Sequence, residues 1–90
     1  MGIVLSGKAA LEKLRATNLC ENCNLQGAYL EGARLWEANL EGAYLYNANL
    51  KNANLEGAYL YNANLRDANL NSAKFCKTTM PDGSINDDDC

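Results

Sequence analysis

Histidine is absent from the 90 residues, and the chain has a single proline and only a small net charge. The absence of histidine removes the most common general base and the most common metal ligand. The formal charge of −3 at pH 7 shows no basic excess of the kind that nucleic-acid-binding domains carry. No segment approaches the ~20 apolar residues of a membrane span. We therefore expect no nucleic-acid binding, no membrane insertion and no cofactor.

What the sequence does have is a leucine at every fifth position. The series runs Leu25, Leu30, Leu35, Leu40, Leu45, Leu50, Leu55, Leu60, Leu65 and Leu70, and Phe75 continues it. An alanine lies two residues before each, with Cys23 taking that place in the first repeat. This spacing would spiral around a helix and would alternate between the two faces of a straight strand. Because either element would expose the leucines, the backbone must turn once per repeat.

The turn is expected at the two residues that follow each leucine. The second of them is glycine, asparagine, aspartate or serine in almost every repeat, and these residues favour turns. Glu37 and Lys77 are the exceptions. Within each repeat the alanine and the leucine then point inward and the residue between them points outward. The pattern predicts a solenoid of very short parallel strands with a solid interior that leaves no pocket.

The runs Gly-Ala-Tyr-Leu and Ala-Asn-Leu, repeated across residues 18–80, resemble the pentapeptide-repeat family. The resemblance implies an all-β fold, a right-handed quadrilateral parallel β-helix with twenty residues per coil and here about three coils. Inward residues twenty apart, such as Leu25, Leu45 and Leu65, would then stack. We expect a single domain over 1–90, with the β-helix at 18–80 and a turn and acidic tail at 81–90.

Residues 6–17 precede the repeats and read as a short capping α-helix. Ser6 is a suitable N-cap, and good helix formers follow Gly7. Ala10, Leu11 and Leu14 form a narrow apolar stripe. A helix of this length is marginal unless such a stripe packs against something, and the open end of the first coil is the natural surface.

Four cysteines include a C-x-x-C motif at Cys20 and Cys23. The motif alone is compatible with a redox pair, half of a zinc site or a structural disulfide. The first coil and the ending from Phe75 to Ile85 resemble exported cyanobacterial members of the family. That resemblance favours two local disulfides, Cys20–Cys23 and Cys76–Cys90. It also implies the thylakoid lumen or periplasm, with an export signal outside this chain; a cytoplasmic location is the alternative.

Two surface features invite a functional interpretation. The run Asp87-Asp88-Asp89 lacks the alternating acids and terminal glutamate of a calcium loop, so we interpret it as a solvated tail.

Exposed aromatic residues flank the inward leucines and could form a protein-contact patch, since interfaces are enriched in tyrosine and tryptophan. The candidate patch consists of Trp36, Tyr44, Tyr46, Tyr59 and Tyr61.

Three hypotheses for function follow from these patterns. The first is a non-enzymatic structural or protein-interaction module, a monomer with an unknown protein partner. It rests on the absence of any nucleophile–base pair or phosphate-binding loop. The second, DNA mimicry towards an enzyme such as DNA gyrase, is known in the family but needs a long acidic rod, whereas residues 25–75 hold five acidic and four basic side chains. The third is a thiol oxidoreductase at Cys20 and Cys23.

Overall fold

Helix α1 (Gly7–Thr17) covers the N-terminal end of the molecule in this computed structural model, which describes residues 4–90. Ala10 and Leu14 are completely buried against the first coil, as the apolar stripe predicts. Asn18, with a left-handed φ of 57°, ends the helix and donates its backbone N–H to the Leu14 carbonyl at 2.8 Å. The helix therefore closes one end of the hydrophobic core. No helix among the described residues is long and apolar enough to cross a membrane.

Beyond the helix, the chain coils so that residues twenty apart lie side by side as parallel pairs. The pairs form four columns, which we number as walls in chain order. Wall 1 contains Leu19, Asn39, Tyr59 and Thr79; wall 2 contains Asn24, Tyr44 and Asn64; wall 3 contains Tyr29, Asn49 and Asn69; wall 4 contains Arg34, Asn54 and Lys74. Backbone hydrogen bonds of 2.7–3.0 Å, such as Leu45 N–H to the Asn64 carbonyl at 2.8 Å, join successive coils. This finding confirms the predicted twenty-residue stacking.

A tight turn separates each wall from the next. The alanine N–H donates to the carbonyl of the leucine three residues earlier, as between Ala28 and Leu25 at 3.0 Å. The residue before that alanine has a positive φ, which is the requirement of a type II turn. Glu37 (φ 58°) and Lys77 (φ 52°) adopt this conformation too, although their side chains disfavour it. The turn therefore overrides residue preference at these two positions.

The recurrent outward asparagine has a structural role at these corners. Its side-chain oxygen accepts the backbone N–H two residues later, at 3.0–3.1 Å, in a repeated Asx turn. The asparagines concerned are Asn24, Asn39, Asn49, Asn54, Asn64 and Asn69. Because their oxygens stabilise the corners, these side chains account for the Ala-Asn-Leu repeat without any binding role.

The interior consists of the inward alanines and leucines. Leu40, Leu45, Leu50, Leu55 and Leu60 have no exposed surface, whereas Leu65, Leu70 and Phe75 are only partly buried. The repeat assigns the whole leucine series to the interior, but the last coil buries its members only partly. The cause is simple, since no further complete coil stacks on these side chains within residues 4–90. Their contribution to stability must be smaller than that of the central leucines.

The C-terminal segment folds back on the last coil. Strand β1 (Thr78–Thr79) pairs antiparallel with strand β2 (Ile85–Asn86) across a turn that contains Gly83 at φ 89°. The acidic tail is exposed but not free, because Asp89 exchanges two hydrogen bonds with the Phe75 backbone, at 2.8 and 2.9 Å. These bonds fix the tail to the solenoid.

Candidate functional site

Exposed apolar side chains concentrate on wall 1. Leu19 is 50% exposed, Tyr59 is 39% exposed, and both lie in the column that continues through Thr79 to Ile85 of β2, which is 58% exposed. With strands ~4.8 Å apart, this column extends over ~19 Å from Leu19 to Ile85. Wall 1 is thus a continuous ladder with large apolar groups at its beginning, middle and end.

Two further aromatic residues stand on the corners that border wall 1. Trp36 precedes the strand of Asn39, and its carbonyl accepts a hydrogen bond from the Asn18 side chain at 3.4 Å. Tyr61 follows the strand of Tyr59, and the two rings lie 6.2 Å apart with a tilt of 36°. We call Leu19, Trp36, Tyr59, Tyr61 and Ile85 the wall 1 patch.

The structure separates the five aromatic residues that the sequence suggested as one patch. Trp36, Tyr59 and Tyr61 lie together around wall 1. Tyr44 is exposed but belongs to wall 2, and Tyr46 lies beyond it at the far corner of wall 2, where it is half-buried. The sequence placed Tyr46 among the exposed aromatic residues, whereas the structure leaves its side chain only partly exposed and away from wall 1.

Sequence reasoning missed Leu19 and Ile85 as patch residues. Leu19 could have been found, because counting back in fives from Leu25 makes Cys20 the inward residue and turns Leu19 outward. Cys20 is indeed completely buried. The position of Ile85 depends on the antiparallel pairing of β2 with β1, for which the repeat gives no signal.

Charged side chains are distributed unevenly around the solenoid. Glu21 and Glu41 stand on the corner that follows wall 1, where the Asn22 N–H bonds to the Glu41 carbonyl at 2.8 Å. The corner that precedes wall 1 carries Glu37 and Glu56 together with Lys77. The opposite sign collects on wall 4, which presents Arg34 and Lys74. The basic surface of wall 4 differs from the acidic surface that we expect of a DNA mimic.

The corner before wall 1 contains a surface crevice of about 340 Å³. It is lined by Trp36, Glu37, Glu56, Gly57 and Lys77. Lys74 of wall 4 approaches Glu56 at 3.8 Å, and both side chains are half-exposed. The two corner residues with unfavourable φ angles, Glu37 and Lys77, both line this crevice.

The cysteines form two disulfides, Cys20–Cys23 and Cys76–Cys90. The first pair is almost completely buried under α1, which leaves no accessible thiol for redox exchange at this motif. Asp87 lies within 4.8 Å of the sulfur atoms of Cys76 and Cys90. Because those two sulfurs are bonded to each other, they offer no thiolate to a metal ion in this state.

One carboxyl group near wall 1 has a shifted pKa. Asp82, in the turn between β1 and β2, accepts hydrogen bonds from the Ser84 hydroxyl at 2.6 Å and from the Ser84 N–H at 2.9 Å. These bonds stabilise the carboxylate and lower the pKa of Asp82 below its usual value. The role of this group is to hold the turn.

Comparison with known proteins agrees with this architecture. A family model for pentapeptide repeats matches residues 23–60 and 43–80 with eight copies. A search of curated proteins gives no match. Among solved structures, the chain is similar to HetL, a pentapeptide repeat protein involved in heterocyst differentiation regulation from the cyanobacterium Nostoc sp. strain PCC 7120. The identity is 31% and the TM-score 0.59, over 76% of this chain and 40% of HetL.

A second similar structure is the pentapeptide repeat protein Rfr23 from the cyanobacterium Cyanothece 51142. It is 40% identical with a TM-score of 0.51, over 70% of this chain and 44% of Rfr23. The chain thus spans less than half the length of both proteins. Since the family model covers more than half of the sequence, and the coil, corners and interior follow its repeat, the chain belongs to the pentapeptide-repeat family.

Proposed function

We propose that this protein is a non-enzymatic interaction module that binds a protein partner through the wall 1 patch. The observation that carries the proposal is the concentration of five large exposed apolar side chains on one ladder and its two corners. We further propose that the solenoid is a right-handed quadrilateral β-helix of about three coils. Such a scaffold holds the patch rigidly, so that binding requires little ordering of the backbone.

The composition of the patch supports a protein as the ligand. Tryptophan and tyrosine dominate the energetic centres of protein interfaces because they bury a large area at low cost in side-chain entropy. Glu21, Glu37 and Glu41 stand around the apolar groups and supply a polar, negatively charged rim. The partner we propose therefore presents an apolar centre surrounded by basic side chains.

The relatives and the disulfides are compatible with this role. HetL, which shares the repeat, is described as involved in the regulation of heterocyst differentiation, and a role in regulation is compatible with an interaction module. The two disulfides suit an oxidising compartment. We accordingly propose the thylakoid lumen or periplasm as the place where the partner is found.

The test compares two tyrosines on different walls. Tyr59→Ala removes the middle of the wall 1 patch, whereas Tyr29→Ala removes an equally large group on wall 3, where it is 63% exposed. Immobilised wild-type protein and both variants are incubated with a lumenal or periplasmic extract, and bound proteins are quantified by mass spectrometry. We expect a basic protein that is retained by wild type and Tyr29→Ala, lost with Tyr59→Ala, and released by high salt.

Two results would overturn the proposal. Equal retention of all bound proteins by the two variants would show that wall 1 has no special role. Self-association of the wild type that is abolished by Tyr59→Ala would show that the patch is a contact between copies of this chain. Circular dichroism of both variants must match the wild type, since neither tyrosine belongs to the buried core.

A further inference from the structure

The crevice at the corner before wall 1 combines an aromatic side chain with charged side chains of both signs. Its lining combines the half-exposed Trp36 with the acidic residues Glu37 and Glu56 and with Lys77. Glu37 N–H donates to the Glu56 carbonyl at 2.7 Å, so the two glutamates are held on adjacent coils. One aromatic and two acidic residues therefore meet at a single surface crevice of about 340 Å³.

The backbone at this corner departs from the rest of the solenoid. Other corners place glycine, asparagine, aspartate or serine at the residue with positive φ, whereas this corner places Glu37 at 58° and Lys77 at 52°. Gly57 lies between Glu37 and Lys77 in the stack that corner residues 37, 57 and 77 form on successive coils. A Cβ atom at position 57 would lie 3.1 Å from the Glu37 Cγ atom, so the glycine leaves the space that the Glu37 side chain occupies. The fold thus accommodates a long acidic side chain where the repeat favours a short one.

We propose that this crevice binds the guanidinium group of an arginine side chain. The inference rests on the proposed function, because the arginine would belong to the partner that covers wall 1. A guanidinium is planar, weakly hydrated and permanently charged, so it can pack against the Trp36 indole and donate to a carboxylate at once. Lysine satisfies the charge but neither the planarity nor the fork of donors.

The neighbouring charges indicate which glutamate would bind the guanidinium group. Glu56 is shared with Lys74 on the wall 4 side, at 3.8 Å, whereas no cation of the described residues lies within 4.0 Å of the Glu37 carboxylate. Glu37 is therefore the principal acceptor for a guanidinium. Lys77 lines the same crevice and repels a second cation, so it weakens the site.

The experiment uses Trp36 as its reporter, since it is the only tryptophan in the chain. The full-length protein is titrated with N-acetyl-arginine amide, and with N-acetyl-citrulline amide as the uncharged analogue of nearly the same shape. Binding is followed by tryptophan fluorescence and by the indole N–H resonance in NMR spectra. We expect saturable weak binding of the arginine probe and a much smaller response to the citrulline and N-acetyl-lysine amide probes.

Three variants refine the result. Glu37→Gln is expected to weaken binding of the arginine probe by roughly fivefold, as the loss of a charged partner at an exposed aromatic site predicts. Lys77→Gln is expected to strengthen it, because a repelling charge is removed. Glu31→Gln, on a corner between walls 3 and 4, serves as the matched control and should leave the affinity unchanged.

Equal responses to the arginine and citrulline probes would overturn the proposal, as would an arginine affinity that Glu37→Gln does not change. The outcome is separable from that of the proposed function. If wall 1 binds a protein but the crevice does not bind arginine, partner retention is lost with Tyr59→Ala and kept with Glu37→Gln. If the arginine probe binds but Tyr59→Ala retains every protein that the wild type retains, the arginine site in the crevice is supported and the proposed docking role of wall 1 is wrong.

Discussion

Thr78 donates a hydrogen bond of 2.7 Å from its hydroxyl group to the carbonyl of Leu55, a residue of the preceding coil. Thr78 occupies an inward position that Ala38 and Ala58 fill on the earlier coils of the same wall, and it is completely buried. Its hydroxyl also accepts the backbone N–H of Cys76 at 3.1 Å. One buried polar group thus joins the last corner to the coil beneath it.

Replacing Thr78 should therefore destabilise the C-terminal end. Thr78→Val keeps the shape but leaves the buried Cys76 N–H without its acceptor, which costs about 1–3 kcal/mol. The measurement is the free energy of unfolding from urea denaturation. Thr79→Val is the matched control, because Thr79 is only partly buried and no side-chain hydrogen bond of Thr79 is present in residues 4–90. Equal effects of the two substitutions would contradict the role assigned to the hydroxyl.

The position of a leucine along the solenoid should determine the effect of truncating it. Leu55→Ala removes a side chain with no exposed surface and is expected to cost about 2–5 kcal/mol, whereas Leu70→Ala removes a half-buried one and should cost clearly less. Urea midpoints of both variants give the comparison. Leu55→Asp should prevent folding, because it places an unpaired carboxylate in the core. A larger loss of stability for Leu70→Ala than for Leu55→Ala would contradict the partial burial of the last coil.

The repeat predicts the interior well because inward positions are constrained by packing alone. The five-residue spacing was enough to assign Leu55 and Ala58 to the core, and the same count taken back from Leu25 assigned Cys20. The ends were harder to predict. Burial of Leu70 depends on what lies beyond the last coil, and the site of Ile85 depends on a reversal of the chain direction at the Asp82 turn. Neither depends on the repeat.

The candidate site was only partly visible in the sequence for a related reason. Outward residues share no packing constraint, so the repeat does not distinguish Tyr46 from Tyr59, although the coil places Tyr46 at a corner and Tyr59 within wall 1. The exceptions Glu37 and Lys77 could be noticed from the sequence as departures from the turn pattern. The twenty-residue stacking then places both in one corner column, and the structure shows that Trp36 lines the same crevice.

The turn between β1 and β2 should respond to acid. Because the pKa of Asp82 is lowered in the folded chain, the contribution of its carboxylate is present above the unfolded pKa and is lost as the pH falls through the folded pKa. Ser84→Ala removes the principal hydrogen-bond donor, so the pKa of Asp82 should rise toward its ordinary value. NMR titration of the Asp82 carboxyl carbon measures this change. An unchanged titration midpoint would assign the shift to another cause.

The two disulfides should differ in how readily they are reduced. Cys90 is exposed, whereas Cys20 and Cys23 are buried beneath α1. Limited treatment with dithiothreitol, followed by alkylation and mass spectrometry, should therefore label Cys76 and Cys90 first. Loss of this crosslink, which spans 14 residues, is expected to cost about 3 kcal/mol in the chain-entropy model. Faster labelling of Cys20 would mean that α1 opens more readily than the C-terminal tail.

The last prediction concerns Glu37, where stability and binding should change in opposite directions. Asparagine occupies the equivalent corner position at Asn47, Asn52 and Asn62, with φ angles of 59–62°, and it tolerates this conformation better than glutamate does. Glu37→Asn should therefore raise the free energy of unfolding by about 0.5–1 kcal/mol, since part of the backbone strain is removed. Glu21→Asn, at the first residue of a corner where φ is not positive, should give no such gain and is the matched control.

The same variant should lose affinity for the arginine probe, because the shorter uncharged side chain can no longer supply the carboxylate of the crevice. Urea denaturation and the fluorescence titration, performed on one preparation, measure the two effects together. A gain in stability without loss of affinity for the arginine probe would mean that Glu37, and the backbone strain it causes, is not needed to bind the probe. A loss of both would mean that the Glu37 side chain stabilises the corner itself, through its packing over Gly57. Only the combination of a more stable fold and weaker binding shows that stability is given up at this corner for recognition.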